Sequence, residues 1–107
     1  MQIRFYKTQS GSRPVQKYID SLSNDEAAKI VAAIDDIRIG GLEGSSLVFR
    51  HIDGKLWEIK FPIHRIFYIV LRGSEMVLLH AYKKQGQKAP KKEIKTALRR
   101  MKEEIGD

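Results

Sequence analysis

Across residues 56–84, apolar positions run in stretches too long for a strand with only one buried face, and the runs break at Pro62-Ile63 and at Gly73-Ser74. The pattern predicts three consecutive strands, LWEIKF, HRIFYIVLR and MVLLHAYKK, that carry the rest of the chain. Residues two apart in a strand share a face, and a two-residue loop fixes which residues lie opposite one another. With Pro62-Ile63 as such a loop, Lys60 faces Arg65, Glu58 faces Phe67 and Trp57 faces Tyr68. With Gly73-Ser74 as the second, Arg72 faces Glu75, Phe67 faces His80 and Arg65 faces Tyr82.

One face then reads Trp57, Ile59, Phe61, Ile66, Tyr68, Val70, Val77, Leu79 and Ala81, a core face. The other carries Leu56, Phe67, Ile69, Leu71, Met76 and Leu78 at one end, and Glu58, Lys60, Arg65, His80, Tyr82 and Lys84 at the other. Proton-transfer groups and fixed cations thus gather at one end of a stiff sheet, which suits chemistry on a phosphodiester.

The flanking segments read as a strand over 2–7 and a helix opened by Ser12 as cap and Pro14 in its first turn, with Val15, Tyr18, Ile19 and Leu22 on one stripe. A second helix starts at the capping box Ser23-Asn24-Asp25-Glu26, buries Ala27, Ile30, Val31, Ile34 and Ile37, and stops at Gly40-Gly41. Only a few residues separate these helices, so an antiparallel αα-hairpin against the sheet is expected. A strand over 47–52 returns through Asp53-Gly54 into LWEIKF. After the loop 85–89, Pro90 opens an amphipathic helix with Ile94, Ala97, Leu98, Met101 and Ile105 inside and lysine and arginine outside. The expected fold is α+β: an N-terminal strand and αα-hairpin on a mainly antiparallel twisted sheet, with a basic C-terminal helix, in one domain over 1–107.

Charge changes this picture more than size does. The 107 residues hold 20 lysines and arginines against 13 aspartates and glutamates, a formal net charge of +7. Such a surplus favours a polyanion, and lysines concentrated in the third strand and last helix put nucleic acid first. No cysteine is present, which excludes disulfides and thiolate chemistry. The opening MQIRFYKTQSG has no apolar signal segment, so a cytoplasmic protein with no membrane partner is expected.

Arg65 can hold a phosphate through two bonds, or pair with Glu58. Lys60 adds charge from the neighbouring strand, His80 has the side chain most easily tuned to neutral pH, and Tyr82 offers a hydroxyl and a stacking ring. Glu58 lies between Lys60 and Arg65, and its expected job is to orient them. Lys83, Lys84, Lys88, Lys91 and Lys92 form a run suited to phosphate contacts, with His64 at its edge. Three scattered histidines without a carboxylate cluster make no metal site, and no cofactor motif is present.

The segments FRHIDGKLWEIKF, HRIFYIV and VLLHAYKKQGQKAPKKEI resemble the phage-derived, HigB-like branch of the RelE/ParE toxin superfamily over nearly the whole chain. That resemblance implies a RelE-like fold and the toxin of a type II toxin–antitoxin pair, a ribosome-dependent endoribonuclease that cleaves messenger RNA by attack of a ribose 2′-hydroxyl, with no metal or cofactor. It implies the ribosome, messenger RNA and a cognate HigA-like helix-turn-helix antitoxin as partners. The family's strand arginine falls on Arg65, its preceding basic residue on Lys60, and its basic residue at the end of the last strand on Lys83 or Lys84. Some relatives use a C-terminal tyrosine or histidine, and the helix from 90 to 105 has neither. The competing reading is a ParE-like gyrase poison or a module that binds nucleic acid without cutting it.

Overall fold

The computed structural model describes residues 1–106. The central stretch forms β3 (Leu56–Lys60), β4 (His64–Leu71) and β5 (Glu75–Lys83), flanked by β1 (Gln2–Phe5) and β2 (Val48–Asp53) in one sheet of order β1-β5-β4-β3-β2. β1 runs parallel to β5 and every other pairing is antiparallel. Helices α1 (Pro14–Asp20) and α2 (Asn24–Gly40) cover one face over β1 and β5, and α3 (Lys91–Ile105) packs on the other against β5, β3 and β4. This is the α+β arrangement expected, compatible with a RelE-like fold.

The helix ends follow local chemistry. Ser23 caps α2, its hydroxyl accepting from the Glu26 amide at 3.2 Å, and Gly41 ends it at φ 74°. Ser12 does not cap α1: Arg13 takes that position without a side-chain bond, while the Ser12 amide donates to Thr8. Val31, expected on the buried stripe, is exposed, whereas Ile30, Ile34 and Ile37 are buried.

The β3–β4 register is the expected one, with Trp57 opposite Tyr68, Glu58 opposite Phe67 and Lys60 opposite Arg65. The β4–β5 turn is not. Leu71, rather than Arg72, faces Glu75, so the loop holds three residues, with Arg72 at φ 50° and Gly73 at φ 76°. The one-residue slip is absorbed by a bulge in β5, after which Phe67 faces His80 and Arg65 faces Tyr82 as expected. Leu79 is the extra residue, and Arg100 Nη1 donates to its carbonyl at 2.9 Å.

Before the bulge, the faces of β5 are the reverse of those expected. Met76 and Leu78 pack with Ile59 and Ile66 of the sheet against Ile19 of α1 and Ile30 and Ile37 of α2, while Val77 and Leu79 join Leu56, Phe67 and Ile69 against Ala97 of α3. A one-residue slip exchanges the faces of a strand, and both choices here bury apolar side chains. Each fully buried isoleucine or leucine stabilises the fold by roughly 1.5–3 kcal/mol. Polar contacts also fix α3: Tyr6 donates to Glu103 at 2.8 Å and Arg4 to Glu104 at 2.7 Å.

Candidate functional site

The site is built on the corner between β3 and β4. Pro62 and Ile63 form its loop, closed by the Phe61 amide on the His64 carbonyl at 3.0 Å. Arg65 Nη1 donates to the carbonyls of both Phe61 and His64, the latter at 2.9 Å, and the Lys84 amide donates to Ile63 at 2.8 Å. The end of β5 is therefore tied to the corner through its backbone. Arg65 is only 8% exposed, and its Nη1 holds the corner instead of standing free for a ligand. Both bonds use Nη1, so Nε and Nη2 are not spent on them.

Beside the corner lies a buried ionic network that composition alone does not reveal. Glu58 has no exposed surface, yet both carboxylate oxygens are satisfied: Arg50 Nη2 donates to Oε1 and the Tyr82 hydroxyl to Oε2, each at 2.7 Å. Burial first, and the bond to Glu58 second, push the Tyr82 hydroxyl far above its ordinary pKa, so it remains a donor at neutral pH. Arg50 also reaches the Gln87 carbonyl at 3.4 Å, which draws the loop after β5 toward β2. Its buried Nε has no hydrogen-bond partner among the described residues.

The rings of Tyr82, Phe67 and His80 form a stacked floor, with Phe67 centred 5.4 Å from Tyr82 and 6.3 Å from His80. His80 is held at both ring nitrogens. Arg100 donates toward Nδ1 at 3.2 Å, which leaves the proton on Nε2 to donate to Glu93 at 2.7 Å. Burial lowers its pKa, opposed by Glu93 and reinforced by Arg100, so the imidazole is neutral at pH 7.

Strand register thus brings Glu58, Lys60, Arg65, His80 and Tyr82 onto the face that α3 covers, with Lys84 joined at the corner. Lys60 is half-buried and Lys84 exposed. Lys83 and His64 are register partners that alternate to the opposite face. His64 is buried there: Tyr18 Oη lies 2.6 Å from Nδ1 and Glu26 3.2 Å from Nε2. Lys88 lies in the loop before α3 and Lys91 and Lys92 in its first turn, all exposed. Further along α3, Lys92, Lys95, Arg99 and Lys102 line an open groove of about 670 Å³. Among the described residues, no group of three or more histidines, aspartates and glutamates could hold a metal ion.

A family model described as phage-derived protein Gp49-like (DUF891) matches residues 17–102. The chain belongs to this Gp49-like family. The family is associated with RelE/HigB-type toxins, so membership is consistent with the toxin of a toxin–antitoxin pair and implies an antitoxin partner. No curated protein matches the chain. The Gp49-like match runs from α1 to α3 and so takes in the corner, the ionic network and the groove on α3. No helix among the described residues is long and apolar enough to cross a membrane.

Arg50 and Glu93 escaped the sequence reading, and Arg100, expected outside on α3 with the other basic residues, is instead half-buried and bonded to the Leu79 carbonyl and His80. Arg50 faces Glu58 across the β2–β3 pair, but the register shifts between His51 and Asp53, and a count back from the Asp53-Gly54 turn misses the pairing. Glu93 and Arg100 are two turns apart on α3, and only its docking brings both to His80.

Proposed function

We propose that this chain is a HigB-like toxin that cleaves messenger RNA on the translating ribosome, with the β3–β4 corner as the cutting site. The observation that carries this reading is the convergence of Lys60, Arg65 and Lys84 at one backbone-clamped corner, beside a carboxylate already neutralised by Arg50. In the proposed reaction the ribose 2′-oxygen bonds to phosphorus, the bond from phosphorus to the 5′-oxygen breaks, and a 2′,3′-cyclic phosphate and a 5′-hydroxyl result. The 2′-hydroxyl proton leaves and the 5′-oxygen takes one up.

Lys60 and Lys84 are the cations free to meet the phosphate and offset charge that grows in the transition state. Arg65 acts chiefly by holding the corner rigid with a permanent charge within it. Glu58 is a positioning residue, since both of its oxygens are engaged. Tyr82 and His80 are donors whose protons already point at Glu58 and Glu93, so neither is a free base in this conformation. That shortage fits an enzyme whose RNA must be bent and activated by the ribosome. Lys88, Lys91 and Lys92, continued by Lys95, Arg99 and Lys102 along α3, give a stripe for the phosphate backbone.

The same shortage favours a second reading, a gyrase poison or a nucleic-acid-binding module that does not cut. Purified chain added to programmed ribosomes and to the same message without ribosomes separates the two. Cyclic-phosphate ends only on the ribosome support the nuclease, and intact message in both supports the second reading.

A further inference from the structure

The face of the sheet opposite the corner holds a recess that the helices leave open. α1 and α2 pack over β1 and β5, and beyond them Leu42, Phe49, Lys55, Trp57, Tyr68 and Val70 line a hollow of about 390 Å³ on β2, β3 and β4. Trp57, the only tryptophan, is 38% exposed at its edge. Single apolar residues at a surface mean little, but aromatics grouped around a concavity mark an anchor pocket for a partner side chain.

Two polar features say what kind of partner fits. Tyr68 is 98% buried by its 2% exposure, lines the hollow, and its hydroxyl has no hydrogen-bond partner among the described residues. Among the described residues the only buried side-chain polar atom without a partner is Arg50 Nε, so the Tyr68 hydroxyl keeps access to solvent and stands open to an acceptor entering the hollow. Lys55 is the one charged side chain in the lining, on a chain of net charge +7. An apolar floor, one unpaired hydroxyl and a single lysine in the lining match an acidic segment that inserts a large apolar side chain, an acceptor within and a carboxylate beside Lys55.

We infer that this recess is the docking site of an acidic segment of the protein partner, which, resting on the toxin reading above, is the antitoxin. Strand alternation puts Trp57, Tyr68 and Val70 on the face opposite Lys60 and Arg65, so the partner grips the back of the sheet and leaves the corner uncovered.

The test uses the whole chain labelled with 5-fluorotryptophan, so that Trp57 alone reports, and the protein encoded by the adjacent reading frame as probe. Binding should shift the Trp57 fluorine resonance. Trp57→Ala and the charge reversal Lys55→Glu should each weaken binding at least tenfold by calorimetry, while Lys60→Ala and Lys84→Ala bind as wild type. Circular dichroism melts confirm that each variant is folded. An unmoved resonance, no binding by wild type, or loss of binding only in the Lys60 and Lys84 variants would overturn the inference. Growth arrest by the chain alone is scored separately: a harmless chain that still binds through Trp57 removes the toxin reading and keeps the docking site.

Discussion

Arg65 shows how a residue type can be legible while its task is not. The sequence marks it as the arginine of the corner, and the register puts it beside Lys60 and Tyr82 as expected. Its bonds to Phe61 and His64 depend on how the corner folds back, which spacing does not encode. Arg65→Ala should therefore lower unfolding stability by roughly 2–3 kcal/mol in urea titrations, from two lost bonds of about 1 kcal/mol each and lost packing. Lost toxicity in that variant would not by itself identify a phosphate ligand. Arg50→Ala leaves the buried Glu58 carboxylate short of its cation and is expected to destabilise by about 3 kcal/mol. His80 supplies a pH test. Its folded pKa lies below the ordinary 6.5, so the folded state resists protonation. Its contribution to stability is complete above 6.5 and is lost as pH falls below that value toward the folded pKa. Nitrogen-15 NMR should show His80 titrating below 6.5 with its neutral proton on Nε2; a midpoint above 6.5 would contradict the buried, α3-locked imidazole.

At the level of elements, strands and helices were legible because period-two and period-3.6 patterns, a capping box and Gly-containing turns all agree along the chain. The error lay in β5, where Val77, Leu78 and Leu79 are apolar whichever way they point, so no alternation reports the bulge. Two irregularities offset each other, a third turn residue and an extra strand residue, and their sum restores the pairs that matter at the corner. Arg72 bears strain in that turn, since a non-glycine residue at φ 50° sits in the left-handed region. Arg72→Asn, better suited to that conformation, should raise stability by about 0.5 kcal/mol. Leu79→Ala, which empties a fully buried site, should lower it by about 2–4 kcal/mol. Both are checked by the denaturant midpoint at constant slope.

Across the whole molecule, the sheet separates two surfaces. One carries the corner, the ionic network and the basic stripe of α3; the other carries His64 in its cage of Tyr18 and Glu26 and, farther along, the aromatic recess. Net charge hinted at the first surface. Nothing in the sequence separated Trp57 and Tyr68 from core residues, because only the extent of the helical layer leaves them open. If the stripe grips RNA through phosphates, affinity should fall steeply with salt, and Lys95→Ala with Arg99→Ala should flatten that slope by about two counterions. The decisive measurement is transcript-end mapping in a bacterium expressing wild type or Lys60→Ala/Lys84→Ala, whose side chains reach solvent and do not hold the corner. Wild type is expected to create new ends inside translated codons and the double variant to create none while still folding. Identical cuts from both proteins, or growth arrest by wild type with every message intact, would contradict an RNA-cutting site at this corner.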